Sequence, residues 1–519
     1  MEKKVGNKTL LLGVVLILVA SMFAGNIDRG SPKITGMSST SMIVIPEREQ
    51  LNKETFGEFE VYYRANENGE GALFQGIIPS DHSITNIVPV ASANTITGNF
   101  NLVRAPSPSS PVQPSKACVR PTSGLVISSD IEFCSGQYTL SEGMVVVGSA
   151  KIVGKDTVIN GPNRQCNRTS IPCLNALTIQ SNNVVITGIH FNGWDRGISS
   201  LYRGPIYSNV EIYKNKMTQT IEGIWLHNIE HLNIHNNIIR DAYVGMIVED
   251  MTAIYPPTLK FVTIKDNFIN LNSAWFGRAP GPMGVVIWGF DTGDISGNII
   301  EYTGLECSYS PGCASIGVII EVTNNYVLRD NVIKNSNIGV SIALNAMNGI
   351  IENNNIIDNR QSYFMSVGTH MQDSWYVGGY HYPMNVLVKN NLVKSKDGRG
   401  WGIVSGDLYT CTYGHQTFES NSVIGFEAGY RGTLMYSACA PPPPTQPNKL
   451  YRNNFIDNDR SLIDESTEPS SLIFVNENYY SDHTGINCGA IDINTGFCSN
   501  PKTWPPYINQ DNRPKASPW

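Results

Sequence analysis

Ten times between residues 212 and 480 the chain repeats one six-residue phrase, apolar-x-x-Asn-x-apolar. It reads IYKNKM, IHNNII, IKDNFI, ISGNII, LRDNVI, IENNNI, VKNNLV, FESNSV, YRNNFI and VNENYY. The fourth positions are Asn215, Asn237, Asn267, Asn298, Asn331, Asn354, Asn391, Asn421, Asn454 and Asn478. An earlier unit, ITGIHF, puts Ile189 in the same slot. Few folds tolerate a strict local repeat at intervals of 22 to 37 residues. A solenoid requires one, because each unit buries its apolar face only against its neighbours.

A second landmark keeps step with the first. Glycine follows eight residues after the slot at Gly197, Gly223, Gly245, Gly339 and Gly429, and an apolar-x-apolar run follows it. Short strands of period two, separated by tight turns, describe one coil of a parallel β-helix. The fold expected is all-β: a right-handed, single-stranded parallel β-helix of roughly eleven to thirteen coils, its hand set by the crossover rule. Asparagine in the same turn of every coil can hydrogen-bond to its neighbours as a ladder and satisfy backbone groups that the bend leaves free. The first coils fall around 124–159, where the alternation is less regular and an end must be capped.

The segments outside the repeat divide the chain. Residues 1–25 join a lysine-rich head to an apolar run and read as a signal peptide or an N-terminal membrane anchor. Residues 26–115 read as a linker or stalk with a small β element at EFEVYYRA, 116–485 as the β-helix, and 486–519 as a disulfide-looped tail. The ten cysteines fall in local pairs: Cys118 and Cys134, Cys166 and Cys173, Cys307 and Cys313, Cys411 and Cys439, Cys488 and Cys498. None forms CxxC, so disulfides outweigh zinc or redox chemistry, and the expected location is extracellular, on the cell surface or in a periplasm-like space. A net charge of −7 without a basic stripe argues against a nucleic-acid partner. A polar, mostly uncharged ligand such as a polysaccharide or cell-envelope glycan fits better.

The phrases KLYRNNFIDN, residues 449–458, and ENYYSDHTG, residues 477–485, carry a family resemblance. The repeat resembles the pectate-lyase-like parallel β-helix superfamily. Within it the chain resembles the NosD-type proteins, which are secreted or periplasmic and common on archaeal surfaces. That resemblance implies the fold over roughly 120–485, and by analogy a copper-site assembly role. Where such chains usually continue into an acidic tail, this one reads INCGAIDINTGFCSN.

If each strand starts at the landmark glycine, Ile224 and Leu226, Met246 and Val248, Val285 and Ile287, Val318 and Ile320, and Val340 and Ile342 face inward. Trp225 and His227, Ile247 and Glu249, Val286 and Trp288, and Ile319 and Glu321 then form an outward column. Long insertions flank this face, and with the column they offer aromatic platforms for sugar rings at Trp225, Trp288, Trp275, Tyr255 and Tyr309. Glu249 and Glu321 lie two coils apart, about 10 Å between backbones. Side chains can narrow that to the roughly 6.5–9.5 Å of an inverting glycoside hydrolase, with His227 tuning the pair. Two other readings stand beside this one. The same residues can be solvated outward side chains on a β-helix that binds a glycan without cleaving it. A polysaccharide lyase would want a basic residue and a calcium cluster, and Asp250, Asp291 and Asp407 are scattered. His231 and His235, four residues apart on one strand, are too distant to share a metal. Met365, His370, Met371, His381 and Met384 are a copper-type donor set in a long insertion. No cofactor is expected, with calcium or copper the alternatives.

Overall fold

The chain is described here by a computed structural model. The described residues are four strands between 52 and 79 and, within 117–518, all but 164–165, 167–172, 203, 251–258, 273–281, 304–314, 344–345, 358–366, 370–384, 396–397, 399, 406–415, 433–447, 465–472, 484–486, 505–508 and 512. Two compact units result, 27–116 and one that takes in 117–519. In the first, Asn52–Phe56, Phe59–Ala65, Gly71–Ala72 and Ile77–Pro79 form a four-stranded antiparallel sheet.

The second unit is the expected parallel β-helix. One face is a thirteen-stranded sheet running from Val126–Ile127 to Arg460–Asp464, at the upper end of the expected coil count. Its strands pair only in parallel with the coil before and after, as Glu222–His227 pairs with Val244–Glu249 and that strand with Met283–Trp288. The other two faces are built from strand pairs such as Ile229–His235 with Ile238–Ala242 and Leu259–Lys265 with Phe268–Leu271. The inward phase is as expected: Ile224, Leu226, Met246, Val285, Ile287, Val318, Ile320, Val340 and Ile342 are wholly buried and Val248 nearly so.

The corner between the two smaller faces explains the asparagines. The residue before each ladder asparagine turns left-handed, with φ between 53° and 66° from Lys214 and Asn236 through Gly297 to Glu477. That bend leaves the next N–H without a sheet partner. Asn215 therefore donates its backbone N–H to Oδ1 of Asn237 at 3.0 Å, and its Nδ2 donates to the same oxygen. Each Nδ2 also reaches a carbonyl of the coil before, as Asn237 reaches Ile212 O at 2.8 Å. The links run through Asn267, Asn298, Asn331, Asn354, Asn391 and Asn421. The next rung corrects the sequence reading. Asn421 donates to Asn453, not Asn454, and Asn453 donates to Asn478. The true phrase is Leu450-Tyr451-Arg452-Asn453, and the adjacent asparagine displaced the frame by one; Asn454 instead meets Ser422 Oγ at 3.2 Å.

The glycine landmark has a steric cause. A Cβ on Gly223 would lie 2.7 Å from the carbonyl oxygen of Gly245, and one on Gly245 would lie 2.4 Å from that of Gly284. Stacked corners this tight exclude any side chain. Three disulfides lie among the described residues, Cys118–Cys134, Cys166–Cys173 and Cys488–Cys498, each joining an expected pair. Cys307, Cys313, Cys411 and Cys439 lie outside the described residues, as do 1–50. The tail is part of the solenoid's end. Lys502–Trp504 and Asn509–Asp511 form a hairpin, and Lys515 bridges to Tyr479 of the last coil.

Candidate functional site

The outward column exists, and the ladder register assembles it. His227 pairs with Glu249, Glu249 with Trp288, and Trp288 with Glu321, so one residue from each of four successive rungs lines up at the end of the large sheet. The expectation of solvated outward side chains fails. His227 is 2% exposed and Glu321 6%. Their neighbours on the same face are apolar and buried: Trp225, Tyr243, Val244 and Ile247 form one cluster, and Ile316, Ile319 and Ile338 another, with Met283 and Val286 against both.

Burial separates the two carboxyl groups. Desolvation, and then the charge of Glu249, pushes Glu321 up to about 7. Glu249 is more accessible, at 19% of its side chain. Its Oε1 accepts a hydrogen bond from Trp225 Nε1 at 2.9 Å and lies 3.0 Å from His227 Nδ1. His227 Nδ1 is buried, and this approach to Glu249 is its contact. Trp288 Nε1, one rung on, is also buried.

Of the sugar platforms, Trp225 has its ring face occupied by the Arg196 guanidinium, 3.6 Å from the ring centre. Arg196 also pairs with Glu222, which is 1% exposed. Trp225 thus serves to hold Glu249 and is itself held. Trp288 is half-buried in the column. Trp275, Tyr255 and Tyr309 lie outside the described residues, as do Met365, His370, Met371, His381 and Met384. Sequence reasoning missed three residues here. Arg196 and Glu222 each precede a landmark glycine in consecutive coils with opposite charge, a signal that was readable. Tyr202 is 54% exposed and packs perpendicular to the His227 ring, with ring centres 5.2 Å apart and exposed Leu201 and Ile206 on the same loop. Nothing in the repeat marks that loop. Among the described residues no three His, Cys, Asp or Glu side chains converge as a metal site.

Residues 281–487 match the family described as periplasmic copper-binding protein (NosD). No curated protein matches the chain. Among solved structures, the catalytic domain of a GH87 α-1,3-glucanase in complex with nigerose is similar at 12% identity and a TM-score of 0.49, over 70% of this chain and 69% of that one. A DFA-IIIase from Arthrobacter chlorophenolicus A6 is similar at 11% identity and a TM-score of 0.36, over 66% and 86%. The mannuronan C-5 epimerase AlgE6 A-module from Azotobacter vinelandii is similar at 12% and 0.34, over 67% and 89%. With the stacked parallel sheets and the asparagine ladder in view, the chain is a parallel β-helix whose residues 281–487 are similar to the NosD family.

Proposed function

We propose that the chain is an extracytoplasmic glycan-active protein that binds a polysaccharide along the outer column and hydrolyses it with inversion. One observation carries this reading: Glu321 is held near neutrality by burial and by Glu249, while Glu249, two rungs away, is fixed by the Trp225 N–H. Two carboxyls whose environments push their proton affinities apart make an acid and a base. Glu321 carries the proton and gives it to the leaving oxygen. Glu249, anchored through Oε1, uses Oε2 to take a proton from water, which attacks the opposite face of the sugar ring. The proton lost by Glu321 and the one gained by Glu249 balance, and exchange with solvent resets both. The exposed Tyr202 ring offers the sugar an apolar face. The disulfides fit an oxidising compartment. The leading segment 1–25, as signal or anchor, would place the chain there.

A second reading, binding without cleavage, is favoured by the 6% exposure of Glu321, since a catalytic acid must reach its substrate. The family description implies copper, and the column does not fit it. Its donors are carboxylates and one imidazole, where copper(I) prefers thioether and imidazole. No step is routed through a metal. The test is reducing-end release from a panel of plant, bacterial and archaeal glycans by wild type, Glu249→Gln and Glu321→Gln. Loss of release in both variants supports hydrolysis. Glycan binding without release by wild type supports the second reading, and release untouched by either change removes the pair.

A further inference from the structure

The histidine-rich strand 229–235 takes no part in the acid pair; it lies on a different face of the solenoid. Its outward residues His231, Asn233 and His235 lie beside Phe261, Thr263 and Lys265 of the next coil, with Asn233 opposite Thr263 and His235 opposite Lys265. Five of these six line an open groove of about 440 Å³, together with Asp266. The sixth, His231, sets its ring edge-on to Phe261 at 4.5 Å. Phe261 is 42% exposed, whereas the apolar residues flanking the acid pair are buried.

The groove has a graded composition. One end is an aromatic plate, the middle an amide and a hydroxyl, the other end an imidazole and an ammonium. Over the four residue steps from Phe261 to Lys265 it runs about 13 Å along the strand. Its imidazole and ammonium end meets carboxylates of adjacent coils, and Asp266 adds a carboxylate to the lining. His235 Nε2 meets Glu211 at 3.1 Å, and Lys265 and Arg329 share Asp294 at 3.2 and 3.5 Å. His235 also stacks flat on Tyr213, with ring centres 5.0 Å apart. A surface of hydrogen-bonding groups of both charge signs, with one exposed ring on a rigid sheet, recognises hydroxyls and a C–H face. It offers little to a free anion or cation.

We infer that this face is a second, non-catalytic binding platform for an uncharged sugar chain lying along the strand, one pyranose ring stacked on Phe261. Its occupancy does not depend on the acid pair. The test measures binding of neutral hexose tetrasaccharides and of tetragalacturonate to the full chain by calorimetry. Phe261→Ala should weaken neutral-sugar binding about tenfold and leave the melting temperature unchanged, since the ring is exposed. Asn233→Ala should weaken it less. A Glu249→Gln, Glu321→Gln double variant should lose reducing-end release and keep this binding. Three outcomes overturn the inference: no neutral sugar binds, only tetragalacturonate binds, or binding survives Phe261→Ala and disappears in the double variant. Failure of the acid-pair reading looks different, because release would then be absent or unaffected while Phe261→Ala still weakens binding.

Discussion

Asn478 ends the ladder by donating its backbone N–H, at 2.9 Å, and its Nδ2, at 3.2 Å, to a single oxygen of Asp511. An aspartate from the tail thus stands where the next coil's asparagine would be. It also accepts from Tyr480 Oη and from the N–H groups of Glu477 and Arg513. A solenoid end exposes strand edges and orphan donors, and here one fully buried carboxylate absorbs them. Asp511→Ala should fray the last coil only. Hydrogen exchange should accelerate across 473–480 and stay unchanged across 229–296, since solenoid coils are stabilised by their neighbours. Uniform acceleration along the solenoid would contradict the cap.

The ladder correction makes a paired prediction at adjacent residues. Asn453→Ala removes the acceptor of Asn421 Nδ2 and N–H and the donor to Phe418 O. Leaving such buried groups unpaired should cost about 2–4 kcal/mol. Asn454→Ala removes the hydrogen bond to Ser422 Oγ and leaves the ladder intact, and should cost less, about 1 kcal/mol. Urea midpoints of the two variants measure this, and equal losses would show the frame to be wrongly assigned.

How legible this was follows from where the information is local. The coil, its phase and most of the ladder could be read because a left-handed residue, an asparagine and a glycine recur in fixed frame. At Asn453-Asn454 two asparagines fit the phrase and only coordinates choose between them. Asp511 was invisible, because a hairpin from outside the repeat brings it in. The acid pair could be placed on one column by counting. Its burial could not, because that depends on how the outward apolar residues cluster around Trp225 and Ile319.

Arg196 and Glu222 should behave as a unit. Arg196→Met deprives a carboxylate that is 1% exposed of its guanidinium and uncovers the Trp225 ring. A loss of about 3 kcal/mol is expected, largely recovered in the Arg196→Met, Glu222→Met double variant. Melting curves of the four proteins of this cycle give the coupling, and additive losses would contradict it.

Glu321 ties stability to pH. Burial and the charge of Glu249 push it up to about 7, above its ordinary value of 4.5, so the protonated form is favoured in the folded state. The stabilisation is fully present below about pH 4.5 and is lost as pH rises through about 7. The difference in melting temperature between wild type and Glu321→Gln should therefore shift against the wild type across that window. A constant difference would mean that Glu321 does not titrate there.

The most direct measurement of the central claim is the anomeric configuration of the first sugar released, followed by proton NMR on a glycan that the wild type cleaves. Glu249 and Glu321 stand two rungs apart, about 10 Å between backbones, and inverting hydrolysis uses a wide carboxyl separation of this order. The expected product has the anomeric centre inverted, and its formation stops in Glu249→Gln. A product of retained configuration, or release that persists in that variant, would contradict the assignment of these two carboxyls as the acid and the base.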